Sequence, residues 1–163
     1  MVDHTELAEK LKTTCKDFVE SLTHREVETF IDFTDFIEVA SREVFADFGE
    51  VGDQFYLVID GRVRLFKEEA GREIDVGHID AGGLVGEMSF FDRKPRTIRL
   101  RAGRDGVKLL SISRKMYRRL TYQHPIIAVH LLEFVVLSLD ELVRSTSQDI
   151  SSLHTQVTGM GMR

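Results

Sequence analysis

Residues Gly82–Ile98, GGLVGEMSFFDRKPRTI, place a glycine-flanked carboxylate, Gly86-Glu87, nine residues before Arg96, which follows Pro95 and precedes Thr97. Glycine lets a backbone approach a ligand closely, an acid accepts from a sugar hydroxyl, and a guanidinium offers a planar fork to a phosphate. A small ligand carrying sugar and phosphate suits all three features. A surface turn between two strands is the plainer alternative.

Strand alternation sharpens this reading. After Pro95, the residues Ile98, Leu100 and Ala102 share one face and Thr97, Arg99 and Arg101 the other, which puts Arg96 on the inward side. An inward guanidinium costs several kcal/mol, on the order of a buried unpaired charge, unless something answers it. Either an acid of the chain, with Glu87 nearest in sequence, or a bound anion must do so. Glu87 to Phe91 can form one helical turn after Gly86, aiming the amides of Met88 and Ser89 at an anion and leaving Glu87 for a ribose hydroxyl.

Around this stretch the hydrophobic period changes twice. Residues 5–40 carry apolar positions at helical spacing (Leu7, Leu11, Phe18, Leu22, Val27, Phe30, Ile31, Phe36), which predicts two or three amphipathic helices. Thr23 and Glu26 form a capping-box pattern that starts one of them at His24. From 41 to 113 the apolar residues alternate, with Gly49, Gly52-Asp53, Asp60-Gly61, Gly71, Gly77, Gly82-Gly83, Gly103 and Asp105-Gly106 between the runs. Short antiparallel strands in a small barrel or roll are expected. Residues 114–148 return to helix: Ser113 is an N-cap, His124-Pro125 a break, and a long helix is expected from Pro125 to about Ser147. Its first half is apolar around the circumference, so one face should bury on the strands and another on a partner, most simply the same helix of a second chain. The tail, 149–163, is read as mobile.

The 163 residues suit one domain, 1–148, and the composition, 42% hydrophobic and 30% charged, is that of a globular protein. A net charge of −5 argues against a protein built to grip nucleic acid. In the basic run Arg93, Lys94, Arg96, Arg99, Arg101, Arg104, the residues Arg99 and Arg101 are read as a solvated strand face rather than a nucleic-acid contact. Cys15 alone excludes an internal disulfide and points to a reducing compartment, where it packs as a small hydrophobe on a helix. The polar N-terminus lacks a signal-peptide core, and the apolar stretch Ile126–Leu139 is too short and too polar at His130 and Glu133 to cross a membrane, so the cytoplasm is the expected location. The six histidines show no metal-ligand spacing and no nucleophile motif is present, so neither a metal nor a catalytic residue is expected.

The pieces Val85-Gly86-Glu87-Met88-Ser89 and Pro95-Arg96-Thr97-Ile98 resemble the phosphate-binding cassette of the cyclic nucleotide-binding domain family, of the catabolite activator protein and protein kinase A regulatory subunit type. Gly49, Gly52-Asp53, Phe55-Tyr56-Leu57-Val58 and Gly61-Arg62-Val63 are similar to the run that precedes the cassette in the family. The resemblance covers roughly residues 18–145 and implies an α+β fold, an antiparallel β-roll of about eight strands with helices at both ends. It implies Glu87 on the ribose 2′-hydroxyl, Arg96 on the cyclic phosphate, and donors from the amides near Ser89 and Thr97. Two positions depart: Ile98 stands where the family has alanine, and overpacking of that kind costs about 1 to 3 kcal/mol; Val85 stands for phenylalanine and returns some volume. Thr97 is similar to members that accept cyclic GMP. The last helix of the family covers the base, and Leu142, Val143, Arg144, Ser145 and Thr146 are all candidates here.

The resulting expectation is a stand-alone sensor of cyclic AMP or cyclic GMP, with Gly86, Glu87, Met88, Ser89, Arg96, Thr97 and Ile98 at the ligand, a homodimer through Pro125 to Ser147, and an effector protein downstream. Too few residues follow Gln148 for the DNA-binding domain of the family's transcription factors, so no nucleic-acid partner is expected. The alternative is a degenerate scaffold for protein interaction, with Ile98 filling the pocket and Glu87 neutralising Arg96.

Overall fold

The computed structural model describes residues 3–160; the first two residues and the last three of the predicted tail lie outside the described residues. Three helices open the chain: α1 (His4–Thr14), α2 (Lys16–Val19) and α3 (His24–Ile31). Both hydrogen bonds of the Thr23/Glu26 capping box start α3. Cys15 is buried at the junction of α1 and α2 rather than within a helix, and burial pushes its thiol up to about 12.

The helical reading to residue 40 is corrected. Helix ends at Ile31, and β1 (Asp35–Val39) is already a strand, pairing antiparallel with the far end of the sheet. Phe36 matched a helical spacing, but the short apolar run Phe36-Ile37 fits either period, and pairing with Leu110 and Leu109 decides it.

The sheet continues with β2 (Val44–Ala46), β3 (Gln54–Glu69), β4 (Arg72–Asp80), β5 (Leu84–Val85) and β6 (Ile98–Ser113), in the order β1-β6-β3-β4, with β2 on β6 and β5 on β3. All pairings are antiparallel. The order has two ends, so the roll is not closed by hydrogen bonds, and there are six strands where the resemblance implied more. Asp60-Gly61 and Asp105-Gly106 do not end strands; β3 and β6 bend there and run on. Gly61 takes φ 82° against Gly106, whose carbonyl oxygen would lie 2.5 Å from a Cβ at 61, so only glycine permits the crossing.

Two apolar layers result. Phe55, Leu57 and Ile59 face the helices, while Tyr56, Val58 and Val63 face the roll interior with Val85, Leu100, Ala102 and Leu109. Beyond the bend the β3–β4 hairpin leaves the core, and Ile74 and Val76 stand exposed.

After β6, Ser113 caps α5 (Arg114–Gln123), accepting from the Met116 amide at 3.2 Å. Pro125 opens α6, which runs to Met160, well past Ser147, so the described part of the predicted tail is helical. Ile127, Leu131, Phe134 and Val135 bury against the body of the fold, whereas Ile126, Val129, Val136 and Leu137 stay exposed. Phe18 docks α2 to α6 by stacking on Phe134 at 5.7 Å and meeting Phe30 edge-on at 4.8 Å. No described helix is long and apolar enough to cross a membrane.

Because Phe18 joins three helices, Phe18→Ala is expected to lower stability by about 3–5 kcal/mol in urea unfolding. Tyr122→Ala, at a side chain of α5 that is 88% exposed, is expected to change it by less than about 0.5 kcal/mol.

Candidate functional site

Between β5 and β6 the chain makes a short helix, α4 (Glu87–Asp92), capped by Gly86 at φ 81°. Phe90 donates the first helical bond to the Gly86 carbonyl at 3.4 Å, so the amides of Glu87, Met88 and Ser89 have no partner within the helix. The loop then returns through Pro95 and holds Arg96 by its backbone: its N–H donates to Glu50 O at 2.8 Å and its carbonyl accepts from Gly49 at 2.9 Å.

The Arg96 side chain points inward, as its strand parity predicts, and is 9% exposed. It meets carbonyls rather than a carboxylate: Nη1 donates to Gly86 O and Nη2 to Gln54 O, both at 3.3 Å. Two glycines make this possible. A Cβ on Gly52 would lie 2.6 Å from Nη2, and one on Gly86 3.0 Å from Nη1.

Glu87 is also buried, 8% exposed, and forms no ion pair with Arg96 among the described residues. Burial raises its carboxyl above the usual range; its own backbone amide and the charge of Arg96 pull the other way. The internal neutralisation of Arg96 by Glu87 is therefore not formed. Ser89 is occupied structurally, its Oγ accepting from the Gly52 amide at 2.8 Å and donating to Lys94 O at 2.6 Å.

Gly86, Glu87, Met88, Ser89, Arg96, Thr97 and Ile98 all line one cavity of about 360 Å³, a size within the range of small-ligand sites. Leu65, Ile79, Leu84, Val85 and Leu100 supply apolar walls, and Ser138 and Leu142 reach it from α6. Of the five candidate covers, Leu142 borders the cavity; Val143 is largely exposed and Arg144 pairs with Asp140 at 2.8 Å. Ile98 is a wall rather than a plug: it is half-buried, its backbone pairs with Lys67, and the cavity persists beside it.

The basic run divides differently from the sequence reading. Arg99 and Arg101 are half-buried and paired, Arg99 with Asp47 at 2.8 Å and both with Glu73 at 2.6 and 2.7 Å, and they lie over the Phe48 and Phe66 rings. Sequence reasoning also missed the Gln54 carbonyl as an acceptor for Arg96, Ser138 at the roof of the site and Arg114 behind it. Only Gly52 left a signal, in the glycine-rich run before β3. A second cavity of about 380 Å³ lies between α1 and the sheet, lined by acids and lysines together and bordered by the Lys10–Asp60 pair at 3.7 Å, with no charge of one sign to select an ion. Among the described residues no cluster of His, Cys, Asp or Glu could hold a metal.

Comparison with known proteins agrees with this geometry. Residues 36–124 match the model of the cyclic nucleotide-binding domain. The chain is 34% identical over 94 residues to the cyclic AMP receptor protein of Thermus thermophilus, covering 57% of this chain and 43% of that one. It is 30% identical over 115 residues to lysophospholipase nte1 of Aspergillus fumigatus, covering 69% of this chain but only 8% of the length of that protein. The structure of a cyclic nucleotide-binding domain from Methylobacillus flagellatus superposes with a TM-score of 0.80 at 18% identity, a likeness of fold over 90% of this chain and 84% of that one. With a buried arginine, a buried glutamate and two clearance glycines around one cavity, and the family model matched over more than half its length, this chain belongs to the cyclic nucleotide-binding domain family.

Proposed function

We propose that the chain is a regulatory module that binds cyclic AMP or cyclic GMP in the cavity beside α4 and does not transform it. The observation that carries this reading is Arg96: a guanidinium buried against two carbonyls at 3.3 Å, bordering a cavity, with no carboxylate paired to it among the described residues. A guanidinium has five donors, so two long bonds to carbonyls leave others for a phosphate. The cyclic phosphate sits on Arg96 and the amides of the first turn of α4. Glu87 accepts from the ribose 2′-hydroxyl, and Leu142 of α6 covers the base. The scaffold reading needs Ile98 to fill the pocket and Glu87 to neutralise Arg96, whereas Ile98 borders a cavity and the Arg96 side chain donates to two carbonyls.

The output is carried by α6, which supplies Ser138 and Leu142 to the cavity and an open face to a partner. That face repeats every seven residues as Val129, Val136, Val143, Ile150 and Val157, with Leu132, Thr146 and Leu153 three residues after the first, third and fourth, while Leu139, after the second, packs partly on the core. β-Branched residues at the first position of a heptad with leucine at the fourth favour a parallel two-stranded coiled coil. The proposed homodimer therefore extends beyond Ser147, and its seam includes side chains 51% to 72% exposed at the five β-branched positions. Ligand binding shifts the population of α6 positions to which the dimer partner and an effector respond.

Calorimetric titration with cyclic AMP and with cyclic GMP tests the ligand. Binding of at least one is expected, with Arg96→Ala weakening it at least about a hundredfold, some 2.7 kcal/mol; no heat from either at millimolar concentration would overturn the reading. Light scattering at micromolar protein is expected to give a dimer mass for the wild type and a monomer mass for Val136→Glu combined with Val143→Glu. A raised carboxyl pKa means that the ionised form is less stable in the fold than in the unfolded chain. The stability associated with Glu87 is therefore fully present at low pH and is lost as pH rises through its folded-state value. Glu87→Gln is accordingly expected to raise Tm of the ligand-free protein near pH 7 and to leave it unchanged near pH 3, as thermal unfolding at the two pH values would show.

A further inference from the structure

Arg114 opens α5 from the far side of the cassette and takes no part in the cavity wall. Its Nη2 donates to two backbone carbonyls, Gly52 O at 3.0 Å and Phe90 O at 2.7 Å, and its guanidinium lies 4.3 Å from the centre of the Phe90 ring. Its own amide donates to Asp53 O at 2.9 Å. No carboxylate pairs with it among the described residues, so its charge is spent on backbone dipoles.

Those two carbonyls belong to the segments that hold Arg96. Gly52 is fixed at its amide by Ser89 and is the residue whose missing Cβ clears Arg96 Nη2; two residues on, Gln54 O accepts from that same Nη2. Phe90 donates to Gly86 O, the carbonyl that also accepts from Arg96 Nη1. One side chain thus ties together both backbone segments that set the pose of the anion-binding guanidinium, and it does so from the helix that leads through His124 and Pro125 into α6.

We propose that Arg114 is a positioning residue that couples α5 to the Arg96 anion site, an inference that rests on the ligand reading above. An anion on Arg96 competes with Gly86 O and Gln54 O for its donors. The two segments then adjust, and Arg114 moves α5 with them. Because such coupling is reciprocal, the position of α5 and α6 also sets the affinity of the site.

The test compares wild type with Arg114→Met, which keeps the aliphatic stem and removes every donor, and Arg114→Lys, which restores a charged donor. Hydrogen exchange without ligand is expected to run about tenfold faster at residues 86–92 in Arg114→Met and within about threefold of wild type in Arg114→Lys. With saturating cyclic nucleotide, the exchange change at residues 114–123 seen in wild type is expected to disappear in Arg114→Met although the ligand is bound, and to return in Arg114→Lys. A merely structural arginine would not separate occupancy from the response of α5. If Arg114→Met does not fold, Arg114→Gln takes its place with the same expected loss of response. The inference is overturned if the response at 114–123 survives in the neutral variant, or if exchange at 86–92 is the same as in wild type. Should wild type bind neither nucleotide, the ligand reading fails by itself, and the ligand-free exchange at 86–92 still decides whether Arg114 braces the cassette.

Discussion

The burial of Arg96 against carbonyl oxygens, with no acid paired to it among the described residues, is the constraint on which the site depends. A guanidinium out of water and without a counterion is unfavourable by several kcal/mol, on the order of a buried unpaired charge, and backbone dipoles at 3.3 Å offset only part of that. The fold meets the geometric demand with two glycines, since side chains at 52 or 86 would collide with the guanidinium. It meets the mechanical demand by holding the Arg96 backbone at Glu50 and Gly49 and the Gly52 amide at Ser89. The remaining electrostatic deficit is what an anion in the adjoining cavity would relieve. A nearby glutamate that declines to pair, and is itself buried, leaves that deficit in place.

The same logic explains why the arginines next along the strand behave differently. Arg99 and Arg101 are also removed from bulk water, but each has carboxylates on Asp47 or Glu73 and an aromatic face beneath it. Their charges are answered inside the chain, and they fix the β3–β4 hairpin to β6. Three arginines within six residues thus divide into one whose demand is left open and two whose demand is met, and the division follows strand parity. The parity itself comes from Pro95, after which the chain enters β6.

Much of this was legible in the residues because it rests on local rules. The capping box at Thr23, the N-cap at Ser113, the break at His124-Pro125 and the inward parity of Arg96 each follow from a few neighbouring positions. What was not legible depended on distant partners. Phe36 reads equally as helix or strand until Leu110 pairs with it, and the Asp-Gly pairs at 60 and 105 read as turns until two strands cross there. The tail lacks a steady apolar period because polar residues fill the solvent side of α6, and the heptad shows only once the helix is known to continue. Ile98 looked like a plug because a single strand position fixes a side-chain volume but not the width of the pocket opposite it. Arg114 left no trace, since its partners are carbonyls, which no sequence displays.

Under the proposed function, the arrangement lets one cavity serve both binding and output. Its floor, Arg96 and α4, belongs to the sheet, and its roof, Ser138 and Leu142, belongs to α6. The buried face of α6 is short, from Ile127 to Val135, whereas its open face continues to Val157. A helix anchored over about two turns and free beyond them acts as a lever, because a small change in direction at the anchor is multiplied along its length of 1.5 Å per residue. Leu142 lies just past the buried portion, where the helix still borders the cavity. In the proposed reading, a ligand that fills the space beneath Leu142 therefore acts where the site meets the exposed length of the helix.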